Sequence, residues 1–368
     1  MCSWKDVLVS SAEPVAAIAP EAGARFREEI REQPAALLRL LERESEFARV
    51  GAEMRARGAT TIRMVGHGSS DNAASYGVYA FGLLPGWTAL RDSISLTVYY
   101  GAELDMSGCA VLALSQSGRT PDVVEYARRA KSRGAYVVAI TNDGASELAS
   151  VTDAVLELRA GDERAVAATK TYTNQLAALG LLAAHAAEEG DAFAQEVRAV
   201  AAAMPQLTLS VESRIANVAT PFAYAGRMFV VGRGAEFATA REIALKLLET
   251  CRIAAEPLTA TDLAHGPIAA LDSMFPVWAI ASDDATLPAV VEAVERALEA
   301  GATIVASGSA AEAIPGAQYV LASPPASSPL LAPLLSIVPG QLFAAALARA
   351  RGLDPDAPRG LSKVTLAR

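Results

Sequence analysis

The arrangement of apolar and polar residues along the chain shows two alternating patterns. Short, mostly apolar runs typical of buried strands occur in the first half at residues 61–65, 110–114, 136–140 and 154–158. Stretches with helical periodicity separate them, for example residues 121–132. Strands of this kind that are separated by helices predict a parallel sheet covered on both faces. The expected fold class is therefore α/β, with an αβα sandwich as its unit.

The second half of the chain repeats the first. Three pairs of segments match at one common offset, the third pair with a shift of one residue: 129–141 with 296–308, 115–125 with 282–292, and 64–68 with 230–234. A shared offset across three segments indicates a duplicated domain. We therefore predict four regions: a helical segment at 1–50, domains at 51–200 and 201–350, and a C-terminal tail at 351–368.

Composition narrows the class of protein. The 368 residues are 52% hydrophobic and 20% charged, which suits two folded domains and excludes global disorder. The net charge of -9 and the absence of long basic runs argue against a nucleic-acid partner. The three cysteines show no CxxC pair and no metal-ligand spacing, as is usual in a reducing compartment.

Two further patterns concern membranes. The N-terminus lacks the charged and then apolar pattern of a signal peptide. The uncharged segment at residues 313–348 is interrupted repeatedly by proline, so we expect a buried helix with its lead-in loop rather than a membrane span. The sequence thus predicts a soluble, cytoplasmic protein without a membrane partner.

Two strand ends in the first half carry small polar residues. The first strand runs into Gly68, Ser69 and Ser70, and the second predicted strand is followed by Ser115, Gln116, Ser117 and Thr120. In parallel sheets, ligands gather at such strand ends, where the free N–H groups of helix N-termini suit a phosphate. Simple helix capping would explain one hydroxyl, but three hydroxyls and an amide in one loop favour a phosphate site.

The matching place in the second half differs. It carries Asp283 and Asp284, whose carboxylates would repel a phosphate, so we expect the phosphate site in the first half alone. The glycines around His67 lack the third glycine of a dinucleotide fingerprint, and no P-loop motif occurs. For His67 itself, contact with phosphate and a structural role are equally open.

One predicted helix of the second half carries charged residues on one face. Glu242, Lys246 and Glu249 are spaced at i, i+4 and i+7. Taken alone, this pattern is typical of a solvated stripe with one favourable Glu–Lys pair. His265, one of three histidines, follows after a loop that carries Glu256, Thr259, Thr261 and Asp262, and this setting favours a functional site over a structural loop histidine.

Three motifs together resemble the sugar isomerase (SIS) domain: GSS at residues 68–70, SQSG at 115–118 and VAATKT at 166–171. The paired arrangement resembles the isomerase half of glucosamine-6-phosphate synthase, with further similarity at residues 29–34, 242–267 and 358–364. The resemblance implies two tandem SIS domains, each a flavodoxin-like parallel sheet flanked by helices.

The chain differs from the synthase in one respect and resembles another branch of the family more closely. The glutaminase half is missing, so Cys2, placed like that half's nucleophile, is interpreted as a coincidence. A double-SIS chain with GSSD at residues 68–71 and RAGDERAVAATK at 159–170 most resembles the SIS-type glucosamine-6-phosphate deaminases.

This resemblance implies roles for individual residues. His265 would open the sugar ring, and Glu249 would move the proton between C2 and C1. Lys246 and Glu242 would position or polarise the open-chain substrate. Lys363 matches the family lysine that can form a Schiff base with the sugar, although residue type alone indicates an ordinary tail lysine.

The remaining substrate contacts are implied at Val166, Ala167 and Ala168. Ala168 replaces a family serine, so one contact with a sugar hydroxyl is expected to be lost or moved, and Ser69 conservatively replaces a threonine. The resemblance implies no metal and no cofactor. It also implies a homodimer in which the histidine loop completes the neighbour's site, so that His265 would act in trans.

The expected function is conversion of glucosamine 6-phosphate to fructose 6-phosphate with release of ammonia. Galactosamine 6-phosphate as the substrate, or deglycation of fructosamine 6-phosphates, are the alternatives within the same enzyme class. A non-catalytic sugar-phosphate sensor is the alternative of a different class. A sensor would be expected to lack Glu249, His265 and Lys363, and the chain has all three.

Overall fold

The computed structural model describes residues 21–363. Three helices come first: α1 (Ala24–Arg31), α2 (Gln33–Leu41) and α3 (Glu44–Ala56). Each buries one apolar face, with Phe26, Leu37 and Phe47 fully covered. Cys2 lies outside the described residues, and so does the end of the similar segment at 358–364.

A five-stranded parallel sheet forms the first half. Its strands are β1 (Thr61–Val65), β2 (Thr88–Arg91), β3 (Cys109–Leu114), β4 (Tyr136–Thr141) and β5 (Ala154–Glu157), in the order β2-β1-β3-β4-β5. The helices are α4 (Ser69–Leu83), α5 (Ile94–Val98), α6 (Pro121–Ser132), α7 (Glu147–Val151) and α8 (Lys170–Ala186). All residues of β4 are buried, as expected for a strand covered on both faces. The predicted parallel sheet is confirmed.

The second half repeats this topology. Its strands are β6 (Arg227–Gly232), β7 (Ala254–Thr259), β8 (Pro276–Ile280), β9 (Thr303–Gly308) and β10 (Tyr319–Ala322), in the order β10-β9-β8-β6-β7. Counted within its own half, this is the order of the first sheet. Between the sheets lie α9 (Gly190–Glu212) and α10 (Ile215–Ala219). The domain boundary predicted at residue 200 falls inside α9 and stays a prediction.

The helices of the second half also match those of the first: α11 (Glu236–Cys251) corresponds to α4, and α12 (Ala260–Ala264), α13 (Leu287–Glu299) and α14 (Ala332–Ala350) follow. The largest apolar cluster includes residues of α8 and α14 and joins both halves. The α14 helix is long and apolar enough to cross a membrane, but 89% of its most apolar stretch is buried inside the protein. It is therefore packed as a core helix, in agreement with the prediction for this segment.

Candidate active site

The first wall of the site is the turn between β1 and α4. Gly66 passes so close to its neighbours that a Cβ there would lie 2.8 Å from the Ser70 Cβ. Gly68 has a φ of 56° and precedes the first residue of α4, Ser69. The Ser70 hydroxyl accepts a hydrogen bond from Gln175 of α8 at 2.9 Å. This turn directs the N-terminus of α4, with its free N–H groups, toward the site.

The second wall is the loop between β3 and α6. The Ser115 hydroxyl lies 3.0 Å from the Thr120 hydroxyl and accepts a hydrogen bond from the Gly118 N–H at 3.1 Å. Gly118 has a φ of +61°, and a Cβ there would lie 2.0 Å from the Ser146 Oγ. These contacts fold the loop into a compact bend at the N-terminus of α6. Two helix N-termini and several hydroxyls thus border the same space, an arrangement that suits a phosphate group.

A cavity of about 460 Å³ lies between these walls. Eleven of the residues selected from the sequence line it: Gly68, Ser69, Ser70, Ser115, Gln116, Ser117, Thr120, Val166, Ala168, Glu249 and Lys363. Six residues that were not selected also line it: His67, Leu114, Asp122, Glu163, Leu361 and Ser362. The cavity therefore combines both strand ends of the first half with one helix of the second half and the tail.

The charged residues of α11 stand next to this cavity, but only one reaches it. Glu242 and Lys246 have completely buried side chains, whereas Glu249 is partly exposed. The Lys246 Nζ lies 2.6 Å from the Glu249 Oε2 and 3.2 Å from the Glu242 Oε1. The interpretation as a solvated stripe is wrong, because this face of α11 packs against α4.

The buried Lys246 controls the charge balance among the three charged side chains Glu242, Lys246 and Glu249. Burial by itself lowers the pKa of Lys246, but the two carboxylates outweigh it and hold that pKa above its ordinary value. Burial raises the pKa of Glu242, although Lys246 acts in the opposite direction. Lys246 therefore stays an ammonium and fixes the carboxylate of Glu249 from behind.

Glu242 also connects the two halves. It accepts hydrogen bonds from the Ser69 hydroxyl and from the Asn72 side-chain amide, both at 2.8 Å. Beside it, Arg241 of α11 pairs with Asp71 of α4 at 2.7 Å. Because Ser69 lines the cavity, these bonds hold the turn between β1 and α4 in register with the helix that carries Glu249.

Lys363 belongs to the C-terminal tail, and it lines the same cavity. Its Nζ donates to the Glu163 Oε2 and to the Ala165 carbonyl, both at 2.7 Å. Glu163 is completely buried and also accepts from the Thr171 hydroxyl at 2.7 Å and the Thr169 N–H at 2.9 Å. Burial alone would raise the pKa of Glu163, but Lys363 and these donors outweigh it and keep it below its ordinary value.

In the second half, the place that corresponds to the cavity wall at Ser70 and Ser115 is occupied by a carboxylate of the protein itself. Glu236, in the first turn of α11, stands where α4 has Ser70, and it accepts hydrogen bonds from Ser282 at 2.6 Å and Ser336 at 2.6 Å. Ser282 is the counterpart of Ser115. The sequence led us to expect Asp283 and Asp284 to exclude a phosphate here, but the buried Glu236 is the side chain that contacts the serine.

Four of the residues selected from the sequence do not line the cavity. Ala167 is buried beside Val166 and Ala168, while Glu242 and Lys246 lie behind Ser69 and Glu249. His265 follows α12 on an exposed loop and does not line the cavity. Among residues 21–363, no group of histidine, cysteine and carboxylate side chains forms a metal site.

Sequence reasoning missed Asp122 and Glu163. Asp122 directly follows the predicted first helical position, and Glu163 lies within the quoted segment at 159–170. Both are charged residues with buried side chains next to a predicted ligand loop. Their position next to the ligand motifs could have identified them. An acidic residue beside an expected phosphate is, however, not an obvious candidate for a site residue.

Residues 57–185 and 222–349 match the SIS domain model. The isomerizing glutamine–fructose-6-phosphate aminotransferase of Thermococcus kodakarensis is 35% identical over 342 residues, which cover 91% of this chain and 56% of that protein. The chain thus spans about half the length of the curated relatives that it matches.

Solved structures share the arrangement of both halves. One from Silicibacter pomeroyi, provisionally named a phosphosugar isomerase, has 34% sequence identity and a TM-score of 0.78, covering 90% of this chain and 99% of that one. The C-terminal domain of glucosamine-fructose-6-phosphate aminotransferase from Francisella tularensis has a TM-score of 0.81 and covers 93% of this chain and 99% of that one. At 24% identity, the latter supports the fold alone.

Proposed function

Because the chain belongs to the SIS-domain family and contains two copies of that domain, we propose that it is a cytoplasmic glucosamine-6-phosphate deaminase. The reaction would convert glucosamine 6-phosphate and water to fructose 6-phosphate and ammonia. One observation carries the proposal: the phosphate-type loops, the carboxylate of Glu249 and the amine of Lys363 line a single cavity.

The first half would bind the substrate. Ser115, Ser117 and Thr120 would donate hydroxyl hydrogen bonds to the phosphate, together with the N-termini of α4 and α6. Gln116, Ser69 and Ser70 would complete this contact surface, and the backbone around Val166, Ala167 and Ala168 would face the sugar. Because the phosphate is fixed at one end, C1 and C2 would be directed toward Glu249.

The second half and the tail would supply the chemistry. After ring opening by His265, Glu249 would remove the proton from C2 and return it to C1 of the resulting enolamine. The product is an imine at C2, to which water adds before ammonia leaves. Lys246 and Glu242 would hold Glu249 in position, and the Lys363 amine can form an imine with the open-chain carbonyl.

His265 requires a second subunit in this proposal. Its loop is exposed and lies away from the cavity walls of its own chain. A homodimer in which this loop reaches the partner's cavity would bring an imidazole to the sugar ring, where it would transfer a proton between O5 and O1.

The direct test is incubation of the purified protein with glucosamine 6-phosphate, with ammonia and fructose 6-phosphate measured separately. Equal amounts of both products are expected, and Glu249→Gln should abolish their formation. Glu299→Gln, an exposed substitution on α13, is the matched control and should leave turnover unchanged. Folded protein that forms neither product would contradict the deaminase proposal.

A related activity is favoured by a second cavity. A space of about 350 Å³ shares Glu249 and Leu361 with the first and is also lined by Arg252 and Arg359. Guanidinium groups there could bind a carboxylate on a substituted amine, as in a fructosamine 6-phosphate. Parallel assays with galactosamine 6-phosphate and an amino-acid-derived fructosamine 6-phosphate compare these substrates, and binding of all of them without turnover would indicate a sensor.

A further inference from the structure

His67 and Asp122 join the two helix ends that border the first cavity. His67 precedes Gly68 at the start of α4, and Asp122 lies in the first turn of α6. The His67 Nε2 is 2.7 Å from the Asp122 Oδ2. Asp122 is almost completely buried, whereas the His67 side chain is 56% exposed and lines the cavity. One ring nitrogen is therefore fixed, and Nδ1 has no hydrogen-bond partner within residues 21–363.

The charges around the cavity would disfavour a phosphate unless another cation contributed. Three carboxylates line it, those of Asp122, Glu163 and Glu249. The ammonium of Lys363 is already bonded to Glu163 at 2.7 Å. Arg119, on the Ser115–Thr120 loop, is exposed and is 3.3 Å from Asp143. A phosphate dianion would thus approach a cavity in which negative groups outnumber free positive ones.

A protonated His67 changes this balance without breaking an existing ion pair. An imidazolium has N–H donors at both ring nitrogens, so it can donate to Asp122 and to a second acceptor at once. The other oxygen of Asp122, Oδ1, is buried and has no hydrogen-bond donor among the described residues. Within the described part of the chain, His67 is therefore the hydrogen-bond partner of this buried carboxylate. The carboxylate in turn fixes the orientation of the imidazole ring.

We propose that His67 is a phosphate-binding residue, in which Nε2–H donates to Asp122 and Nδ1–H donates to a phosphate oxygen of the substrate. Asp122 is then a positioning residue that acts through His67. The inference rests on the proposed function in that the substrate carries a phosphate. It does not depend on the release of ammonia.

The test is calorimetric binding of fructose 6-phosphate. His67→Gln removes the charge but leaves a side-chain amide, and its dissociation constant should rise about tenfold. His67→Arg restores a cation and should recover most of the affinity. Arg119→Gln is the control for a general charge effect, because it removes a neighbouring cation, and it should change the affinity less than about twofold.

Asp122→Asn separates positioning from repulsion. If Asp122 orients a charged His67, this variant should bind fructose 6-phosphate more weakly than the unmodified protein, and it should not weaken binding further when combined with His67→Gln. If Asp122 acts on the phosphate only through its negative charge, its removal should tighten binding in both backgrounds. Tighter binding in both would overturn the inference.

The outcomes for the two proposals differ. Equal affinity of the unmodified protein and His67→Gln overturns the role of His67 and leaves the deaminase proposal standing. The expected loss of affinity in a protein that releases no ammonia supports the role of His67 and contradicts the deaminase proposal. No binding of fructose 6-phosphate by the unmodified, folded protein contradicts both.

Discussion

The Lys246 ammonium lies 2.6 Å from the carboxylate of Glu249, one turn further along α11, and only Glu249 reaches the cavity. Lys246 has no exposed surface. It can therefore influence a reaction in the cavity only through the cavity-lining residues that it contacts, which are Glu249 and, at 3.3 Å, the hydroxyl of Ser69.

Lys246→Gln is expected to lower kcat by about 100-fold with little change in KM, because a small displacement of Glu249 disturbs proton transfer more than phosphate binding. Steady-state kinetics with glucosamine 6-phosphate measures the two constants separately. Circular dichroism and thermal unfolding of the same sample show whether the variant is folded. A folded variant with a raised KM and normal kcat would indicate that Lys246 acts on binding instead.

Lys363 should be trapped as a covalent adduct. Sodium borohydride added during incubation with fructose 6-phosphate would reduce an imine to a stable secondary amine, which mass spectrometry of the C-terminal peptide can locate. Lys363→Arg keeps a cation for Glu163 but cannot form this imine, so it should show no adduct. Lys131→Arg, an exposed substitution, should label normally, and an adduct on any other lysine would refute the assignment.

His265 and Glu249 should complement each other between subunits. Neither His265→Gln nor Glu249→Gln is expected to be active alone. After equal amounts are unfolded together and refolded, random pairing would regenerate one intact site in each mixed dimer, giving about a quarter of the unmodified activity. A mixture that stays inactive, although mixed dimers are shown to form, would place His265 in the site of its own chain or outside catalysis.

Gly118 should be required for the shape of the Ser115–Thr120 loop. Gly118→Ala places a Cβ 2.0 Å from the Ser146 Oγ at a φ of +61°, whereas the same change at Gly108 has a φ of +75° and no atom within 4 Å. Gly108→Ala should cost about 1 kcal/mol of unfolding free energy from backbone strain. Gly118→Ala should cost a further 1–3 kcal/mol or so and weaken binding of fructose 6-phosphate. Equal effects in urea unfolding would contradict the packing argument.

Glu29 gives a prediction about pH. Burial raises its pKa to about 7 from an ordinary 4.5, although hydrogen bonds from the Arg164 and Ala165 N–H groups lower it. A carboxyl whose pKa is higher in the folded state favours folding when protonated, so its destabilising effect grows between pH 4.5 and 7 and is complete above pH 7.

Glu29→Gln should therefore raise Tm at pH 8 more than at pH 5, relative to the unmodified protein, because the amide keeps an acceptor and removes the buried charge. Thermal unfolding at both values measures this difference. Glu28→Gln changes the exposed neighbour and should show no such difference. An equal shift for Glu29→Gln at both values would show that its carboxyl has no raised pKa in the folded protein.

Local patterns were sufficient for much of the fold. The predicted strand at residues 61–65 agrees with β1, and the predicted strand at 110–114 begins one residue after the start of β3. The strand β2 was not predicted, because all four of its residues keep some exposure at the edge of the sheet and it has no apolar run. The internal repeat indicated the second sheet even where its own strands were not assigned.

The candidate site likewise contains residues that the sequence could identify and residues that it could not. The Ser115–Thr120 loop could be selected from the sequence because its residues are adjacent and their chemistry is local. Glu163 and Asp122 could not be assigned in this way, since their importance depends on partners that are distant in sequence, Lys363 and His67. The loss of a phosphate site in the second half was expected, but the contact through Glu236 was not.

The sequence by itself determined the strand and helix pattern, the duplication, and the residue types available for phosphate binding and proton transfer, because these depend on periodicity, spacing and local chemistry. Only the tertiary structure decided that Glu249 and Lys363 share a cavity with the Ser115–Thr120 loop. It also decided that Lys246 is buried behind Glu249. These relationships arise when α11 packs against α4 and the tail reaches Glu163. Such contacts between distant segments, and the burial that sets their electrostatics, are not encoded in any single stretch of the chain.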